Sequence, residues 1–261
     1  MINKTIKYIN SFFKNFYKKD TSNNQDVIDR ILNDELKINK DLKKIISFSL
    51  WGDNPIYNIG AIRNAQIAKE IFPDWICRYY IGKSTPSETI NKLKNENNTE
   101  IIIMEDDGDW TGMFWRFYPA SEKDVGVMLS RDTDSRLTIR EKIAVYEWLN
   151  SNKDFHIIRD HPYHNIEILG GMWGVKNHLL KDMNSLCDKF NKEDKWQTDQ
   201  EFLKEIIYPL VENNSFTHDE YFNYCNEKKK IPVKRENKNF IGQAFDENDL
   251  PLHPKHMDAL T

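Results

Sequence analysis

The first half of the chain alternates short apolar runs with segments of helical character. The apolar runs predict four strands, at 45–50, 75–81, 100–104 and 124–130, each followed by polar turn residues. Helices are predicted between them at 59–72 and 87–95, together with a short aromatic helix at 113–118. This alternation is typical of α/β proteins, in which helices cover both faces of a largely parallel sheet.

The second half continues with a mixture of helices and strands. Helices are predicted at 137–150, 178–190 and 199–211, and strands at 156–159, 168–175 and 215–218. We therefore expect one α/β domain over 45–261, with a single Rossmann-like, mixed but mostly parallel sheet flanked by helices and an irregular C-terminal tail. Residues 1–44 are rich in Lys, Asn and Asp and are predicted to form a helical or partly disordered leader.

Composition narrows the class of protein. The 261 residues carry a formal net charge of −4, which leaves no excess of positive charge for binding nucleic acid. Three widely spaced cysteines suggest reduced thiols in a cytoplasmic compartment. The sequence contains no stretch of the roughly 20 apolar residues that a transmembrane helix requires. The N-terminus is rich in Lys, Ile and Phe and could form an amphipathic helix, so peripheral membrane contact is an alternative.

Two aspartates follow the fourth predicted strand almost directly. Asp132 and Asp134 flank Thr133, behind the apolar run VGVMLS and Arg131. Carboxylates with this spacing can share one hard divalent cation, Mn²⁺ or Mg²⁺, which in turn bridges phosphate oxygens. Ligands of parallel sheets bind beyond the carboxyl ends of the strands, where this segment is expected. A polar turn without a ligand is the alternative, and we favour the cation site.

The segment SRDTDSRL resembles the DxD motif of GT-A-fold glycosyltransferases. Two later segments, ILGGMWGVK at 168–176 and WQTDQEFL at 196–203, are similar to parts of glycogenin-like family 8 enzymes. After them, FTHDEYF at 216–222 looks like the late strand whose His completes the metal site in several GT-A enzymes. The run WGDNPIYNIGAIRNAQIAKEIFPDW also looks like glycosyltransferases of large DNA viruses and of some algae and bacteria, which for a viral chain implies host cytoplasm or the virion.

The resemblance covers about residues 45–247 and implies a GT-A fold. It further implies the transfer of a hexose from a nucleotide-sugar donor to a glycan or protein hydroxyl, with a UDP-sugar favoured and a GDP-sugar as the other choice. The donor sugar, the acceptor and the oligomeric state stay open at this stage.

The resemblance also assigns roles to the metal-binding candidates. It implies that Asp134 binds the cation directly, that Asp132 binds the cation or the donor ribose, and that His218 is the third protein ligand. This chain lacks an HFxGxxKPW-like signature after His218, so His253 and His256 in the tail are rival ligands.

Further candidates are expected around the donor and the reacting sugar. Gly170 and Gly171 resemble the glycines that help form the sugar and acceptor pocket. Asp199 would be the general base of an inverting transfer, whereas Gln200 would position the sugar in a retaining one, and the sequence leaves this choice open. The remaining donor-binding candidates are Leu50, Tyr57, Arg63, Asp107 and Arg131.

Several of these residues have a plainer interpretation. Arg63 also fits an exposed position on a helix, and Asp107 also fits a solvated acidic loop. The aromatic run around Trp110 and Trp115 is predicted to pack in the core, with either tryptophan able to reach the site. The segment DHPYH at 160–164 is a rival metal site, but a loop lining the acceptor side of the cleft fits it better.

Two other function classes share some of these features. A nucleotidyltransferase or other metal-dependent phosphotransferase also needs paired carboxylates. Such an enzyme normally has a Gly-, Arg- or Lys-rich phosphate loop near the first strand, and WGDNPIYNIG matches such a loop poorly. A catalytically silent sugar-binding module is the second alternative. The intact pair of Asp132 and Asp134 speaks against it.

Overall fold

The computed structural model of the protein describes residues 29–32, 38–176, 179–190, 193–224, 228–235 and 237–260. Eight strands are present in this part of the chain: β1 (Lys43–Leu50), β2 (Ile76–Ile81), β3 (Thr99–Ile103), β4 (Val125–Ser130), β5 (Phe155–Arg159), β6 (Trp173–Lys176), β7 (Ser215–Asp219) and β8 (Lys228–Lys229). They form one sheet in the order β3-β2-β1-β4-β6-β5-β7-β8.

The sheet is mixed and mostly parallel, which confirms the predicted fold class. Strands β1 to β4 pair in parallel, and so do β5, β7 and β8. Only β6, among the strands of the described ranges, runs against its neighbours β4 and β5. All four strands predicted in the first half are therefore present, because each is an apolar run bounded by turn residues.

The helices connect the strands. They are α1 (Pro55–Ile71), α2 (Ser87–Lys94), α3 (Ile139–Leu149), α4 (Met183–Lys189), α5 (Thr198–Phe202), α6 (Tyr208–Val211) and α7 (Pro254–Asp258). Side-chain caps begin the two longest of them. Asn54 accepts a hydrogen bond from the backbone N–H of Ile56 at 3.0 Å, and Thr138 accepts one from Glu141 at 3.1 Å.

Two hydrophobic clusters hold the sheet between the helices. Strand β1 is buried over most of its length and contributes to both, because Ile46, Phe48 and Leu50 belong to one cluster and Ile45 to the other. Successive side chains of a strand point to opposite faces, so a run of this kind is expected in the middle of a sheet that is covered on both sides. The central position of β1 follows from this pattern.

Several predicted elements differ in extent or type from the structure. The strand predicted at 168–175 is present only as β6, because its first residues form the loop around Gly170 and Gly171. The aromatic helix is a longer 3₁₀ helix at Trp110–Ser121, and the helix predicted at 199–211 contains a π-helical segment at Leu203–Ile207 between α5 and α6. Hydrophobic periodicity does not distinguish these helix types.

The predicted leader at 1–44 lies mostly outside the described residues, and the division at residue 45 stays a prediction. Within the described part, 29–32 are helical and β1 begins at Lys43. No helix of the described residues is both long and apolar enough to cross a membrane.

Candidate functional site

A cavity of about 750 Å³ opens at the carboxyl ends of β1 and β4. After β1 the chain leads to β2 and β3 on one side of the sheet, whereas after β4 it leads to β5 and β6 on the other. Neighbouring strands whose connections leave in opposite directions create a crevice, which is the usual ligand site of an open α/β sheet. The cavity is lined by the end of β1 and by the segment after β4.

Asn64 of α1 holds the loop that carries the two aspartates. Its side-chain amide donates to the carbonyl oxygens of Thr133 at 3.2 Å and Ser135 at 2.8 Å. Its Oδ1 accepts from the backbone N–H of Leu137 at 3.1 Å. A methyl group at Gly60 would overlap the carbonyl of Thr133, so this glycine lets α1 approach the loop. The carboxylates of Asp132 and Asp134 are thereby presented to the cavity on a fixed backbone.

Asp134 is electrostatically unfavourable in its ionised form. Burial, and then the neighbouring charge of Asp132, raise its pKa from 3.8 to about 6. Arg116 and Arg136 act in the opposite direction without cancelling the shift. These arginines therefore neutralise the two neighbouring carboxylates only in part, and a bound cation would supply further positive charge.

Arg116 lies between Asp132 and Asp199. Its Nη2 donates to Oδ2 of Asp199 at 2.7 Å, and its Nη1 contacts Oδ1 of Asp132. The arginine is itself fixed from the backbone, because its N–H donates to Oγ of Ser49 at 3.1 Å. This side chain was not among the predicted site residues. The sequence does contain one sign of its role. Arg116 is the single charged residue within the aromatic run at 110–118, and a residue that only packs in the core would be apolar.

Two glycines make room for these side chains. A Cβ atom at Gly170 would overlap Nη2 of Arg116 and Oδ2 of Asp199, and one at Gly171 would overlap Oδ2 of Asp132. The carbonyl of Gly170 accepts from Oγ of Ser130 at 2.7 Å, which fixes the loop against the end of β4. Both glycines are therefore needed for close packing around the carboxylates.

Asp199 is buried with one oxygen unoccupied. Oδ2 is bonded to Arg116, whereas Oδ1 is buried without a hydrogen-bond partner. Burial raises the pKa of Asp199, and the charge of Arg116 opposes the rise. Because an unsatisfied buried acceptor is costly, Oδ1 is the atom at which a hydroxyl donor from a ligand is expected. Gln200 follows it and also lines the cavity.

The side chains present fit a divalent cation that arrives with phosphate. The described residues contain no group of three or more His, Cys, Asp or Glu side chains arranged to hold a metal by themselves. Mg²⁺ is often bound in proteins by one or two carboxylates plus water and substrate phosphate oxygens. Asp132 and Asp134 supply such a pair, and Arg116 and Arg136 do not cancel the rise in the pKa of Asp134 that burial and Asp132 cause.

The structure brings most of the predicted site residues together. The cavity is lined by Leu50, Tyr57, Asp132, Asp134, Gly170, Asp199 and Gln200. Burial, followed by the charges of Asp134 and Asp132, raises the pKa of Tyr57, which places the phenol near both carboxylates. Gly171 is outside the lining but packs against Asp132.

Four other predicted residues, all within the described ranges, lie outside the cavity lining: Arg63, Asp107, Arg131 and His218. Arg63 pairs with Asp249 at 3.2 Å, and the carbonyl of Asp107 accepts from the hydroxyl of Ser84. Arg131 is buried, pairs with Glu141, and donates to the carbonyls of Ser130 and Trp173 at 2.6 and 2.8 Å. Its side chain turns into the protein because it joins β4, β6 and α3.

His218 is placed away from the two aspartates. Its Nδ1 contacts Nε2 of His156 at 2.8 Å, and its Nε2 contacts Oε2 of Glu147 at 2.9 Å. Both ring nitrogens are thus occupied, and the side chain is fully buried. In this arrangement His218 has no nitrogen available for a metal ion at the cavity.

The rival histidines form a separate cluster in the tail region. The ring of His256 lies 4.8 Å from that of His253 and 5.5 Å from that of His161, measured between centroids. His164 of the neighbouring loop does line the cavity, and its Nδ1 accepts from the backbone N–H of Asp160 at 3.1 Å. Burial lowers the pKa of His164 to about 3, so its ring is neutral at physiological pH.

The cavity is also lined by residues outside the set of predicted site residues. They come from the turn after β1, from the start of the 3₁₀ helix, from the segment before α5 and from the tail: Trp51, Asp53, Asn54, Asp109, Met113, Asp194, Trp196, Gln197, Gly242 and Ala244. Trp51 and Trp196 lie in segments that resemble glycosyltransferases. Asp194, Gly242 and Ala244 lie in no such segment and join the cavity only because the chain returns to one edge of the sheet.

No protein-family model and no curated protein matches this chain. Among solved structures, it is similar to a glycosyltransferase involved in glycosylation of the major capsid of PBCV-1, with 15% identity, 68% of this chain and 81% of that chain covered, and a TM-score of 0.46. It is similar to a mannosyltransferase from Pyrobaculum calidifontis in complex with GDP-Man and Mn²⁺, with 8% identity, 74% and 61% covered, and a TM-score of 0.46. A galactosyltransferase in complex with donor and acceptor sugar analogues gives 12% identity, 67% and 73% covered, and a TM-score of 0.44.

Proposed function

We propose that the protein is a metal-dependent glycosyltransferase that transfers a hexose from a nucleotide-diphosphate sugar to a hydroxyl group. The observation that carries the proposal is the pair of Asp132 and Asp134 at the β1/β4 crevice, where burial and mutual repulsion raise the pKa of Asp134 to about 6. Such a pair is suited to a cation that is delivered with a diphosphate. A bound Mn²⁺ or Mg²⁺ would neutralise charge on the diphosphate leaving group.

Asp199 and Arg116 are the residues that would act on the sugar. In the transfer, the acceptor oxygen bonds to the anomeric carbon, the bond from that carbon to the diphosphate oxygen breaks, and the diphosphate leaves with the electron pair. Oδ1 of Asp199 is buried and unoccupied, so it could accept a hydrogen bond from a sugar hydroxyl or the acceptor's proton. Arg116 holds this carboxylate in place at 2.7 Å. The raised pKa of Asp199 suits a proton acceptor.

The donor is tested first with UDP-sugars, because the segments at 168–176 and 196–203 resemble family 8 enzymes, and then with GDP-sugars. The protein is incubated with each donor and Mn²⁺, and the release of nucleoside diphosphate is measured. Release that requires the metal and is lost in Asp134→Ala supports the proposal. Release of pyrophosphate from a nucleoside triphosphate and a sugar phosphate would instead identify a nucleotidyltransferase.

A binding measurement distinguishes a site that binds nucleotide without catalysis from a site that does not bind nucleotide at all. Isothermal titration with UDP and GDP, with and without Mn²⁺, measures nucleotide affinity without turnover. Metal-dependent binding without turnover of any donor would indicate a sugar-nucleotide-binding module. The absence of both binding and turnover would refute the proposal.

A further inference from the structure

Two tryptophans at the cavity are exposed to solvent. Trp196 is 67% exposed and Trp110 is 40% exposed, and both line the cavity. The chain buries Trp75, Trp148 and Trp173 almost completely, so exposure is not the rule for this residue type here. Large aromatic surface that is kept in water beside a cavity usually marks a contact with a ligand.

The positions of the two tryptophans are linked through Asp194. The backbone N–H of Trp110 donates to Oδ1 of Asp194 at 3.1 Å, which ties the start of the 3₁₀ helix to the segment before α5. Gln197, next to Trp196, has a φ of +69°, a left-handed conformation that is uncommon for a residue with a side chain. Strained residues of this kind persist where the surrounding structure holds a functional loop in place.

The charges around the cavity restrict what can bind beside these rings. The lining includes six aspartates: Asp53, Asp109, Asp132, Asp134, Asp194 and Asp199. Arg116 is the only Lys or Arg among the described lining residues, and it is already paired with Asp132 and Asp199. A cation at Asp132 and Asp134 would serve the donor diphosphate. Near Trp110 and Trp196 the lining carboxylates are Asp109 and Asp194. The neighbouring Lys195 is paired with Glu193 and Glu201 at 3.0 and 2.9 Å, so the local charge stays negative and repels an anionic group.

We propose that Trp110 and Trp196, with Asp109 and Asp194, form the acceptor subsite and that it takes a neutral pyranoside of a glycan. The axial C–H groups of a pyranose ring are apolar and weakly positive, so they stack on the electron-rich face of an indole. Carboxylates beside the ring accept hydrogen bonds from sugar hydroxyls. Glycans that end in a uronic or sialic acid are disfavoured by charge. This inference rests on the proposed function, because it names the acceptor of the same reaction.

The test is direct binding of oligosaccharides to the full chain. Isothermal titration is carried out in the presence of UDP and Mn²⁺ with a panel of neutral oligosaccharides that end in different hexoses, and with matched oligosaccharides that end in glucuronic or sialic acid. We expect binding of at least one neutral oligosaccharide and none of its acidic counterpart. Trp196→Ala and Trp110→Ala should each weaken this binding about tenfold, in keeping with the loss of one aromatic stacking contact.

Two further variants test whether the effects on oligosaccharide binding are specific to the proposed subsite and to its charge. Leu210→Ala removes another large exposed apolar side chain (58% exposed) outside the cavity lining and should leave oligosaccharide affinity unchanged. Asp194→Asn keeps the acceptor for the N–H of Trp110 but removes the charge, and should raise the affinity for the acidic oligosaccharides. Thermal unfolding reports whether each variant is folded, independently of nucleotide binding.

The proposal is overturned if no neutral oligosaccharide binds, if acidic ones bind equally well, or if the tryptophan variants bind as the unmodified protein does. These outcomes are distinguishable from failure of the proposed function. That failure appears as missing metal-dependent nucleotide binding and missing release of nucleoside diphosphate, whereas oligosaccharide binding can also be titrated without nucleotide.

Discussion

Arg116 donates from Nη2 to Oδ2 of Asp199 at 2.7 Å, inside a part of the cavity wall where both side chains are almost fully buried. Through Nη1 the same guanidinium contacts Asp132. The guanidinium of Arg116 therefore fixes two of the carboxylates that the proposed reaction needs.

Arg116→Ala is expected to lower the free energy of unfolding. Removing one partner of a buried ion pair leaves the other charge uncompensated, which typically costs about 3 to 5 kcal/mol. Arg63→Ala is the matched control, because Arg63 pairs with Asp249 at a more exposed position and should cost less than about 1 kcal/mol. Urea unfolding of both variants measures the difference. Equal effects in the two variants would contradict a special role for Arg116.

Asp134→Asn is expected to stabilise the metal-free protein at pH 7.5. The folded protein holds the proton of Asp134 up to about pH 6, whereas the unfolded chain releases it near the ordinary pKa of 3.8. The stabilising contribution of this group is thus complete below about pH 3.8 and is lost as the pH rises through about 6. At pH 7.5 the ionised side chain destabilises the fold by on the order of 1 to 3 kcal/mol, which the variant relieves.

Thermal unfolding in EDTA at pH 7.5 and pH 4 checks this prediction. The gain of the variant should be present at pH 7.5 and nearly absent at pH 4. Mn²⁺ should raise the Tm of the unmodified protein and not that of the variant, because only the former binds the ion. A variant that is less stable than the unmodified protein at both pH values would disprove the electrostatic explanation.

Gly171→Ala is expected to displace the carboxylate of Asp132. The added methyl group would overlap Oδ2 of Asp132, and the backbone there is fixed by Asn64. Metal-dependent UDP affinity should fall by about tenfold to a hundredfold, the usual effect of disturbing the support of a metal ligand. Gly112→Ala is the control, since its methyl group would meet only the ring of Trp115, at 3.2 Å. Titration with UDP and Mn²⁺ compares the two, and equal affinities would be the contrary result.

Arg131→Met tests the buried pair of Arg131 and Glu141. The single variant should lose about 3 to 5 kcal/mol of stability because Glu141 is left unpaired, whereas Arg131→Met combined with Glu141→Met should recover most of it. Folded Arg131→Met should keep its UDP affinity. A loss of UDP affinity without a loss of stability would show that Arg131 binds the donor, as the sequence predicted.

His218→Phe separates the histidine from the metal site. Its ring nitrogens are occupied by His156 and Glu147, so Mn²⁺-dependent UDP binding should be unchanged in the folded variant. Asp134→Ala, measured in parallel, should abolish that binding. A similar loss in both variants would show that the histidine moves to the cavity when the ion binds.

The sequence by itself determined the framework. The apolar runs of β1 to β4 are sufficient to predict the parallel half of the sheet, because each run is bounded by turn residues and the runs alternate with helical segments. The position of Asp132 and Asp134 at the end of β4 follows from the same pattern. Local propensity and residue spacing are enough to predict these strands and the position of the two aspartates, so no tertiary contact is needed.

Only the tertiary structure decided which other residues lie beside Asp132 and Asp134. The antiparallel β6, the inward turn of Arg131 and the contacts of His218 depend on which strands become neighbours, and long-range pairing is not encoded in local periodicity. Arg116 and Asp199 are far apart in sequence, and they meet because the 3₁₀ helix and α5 both return to the β1/β4 crevice. The pair of Asp132 and Asp134 was visible in the sequence, but the arginine that contacts Asp132 and holds Asp199 was revealed only by the packing of the chain.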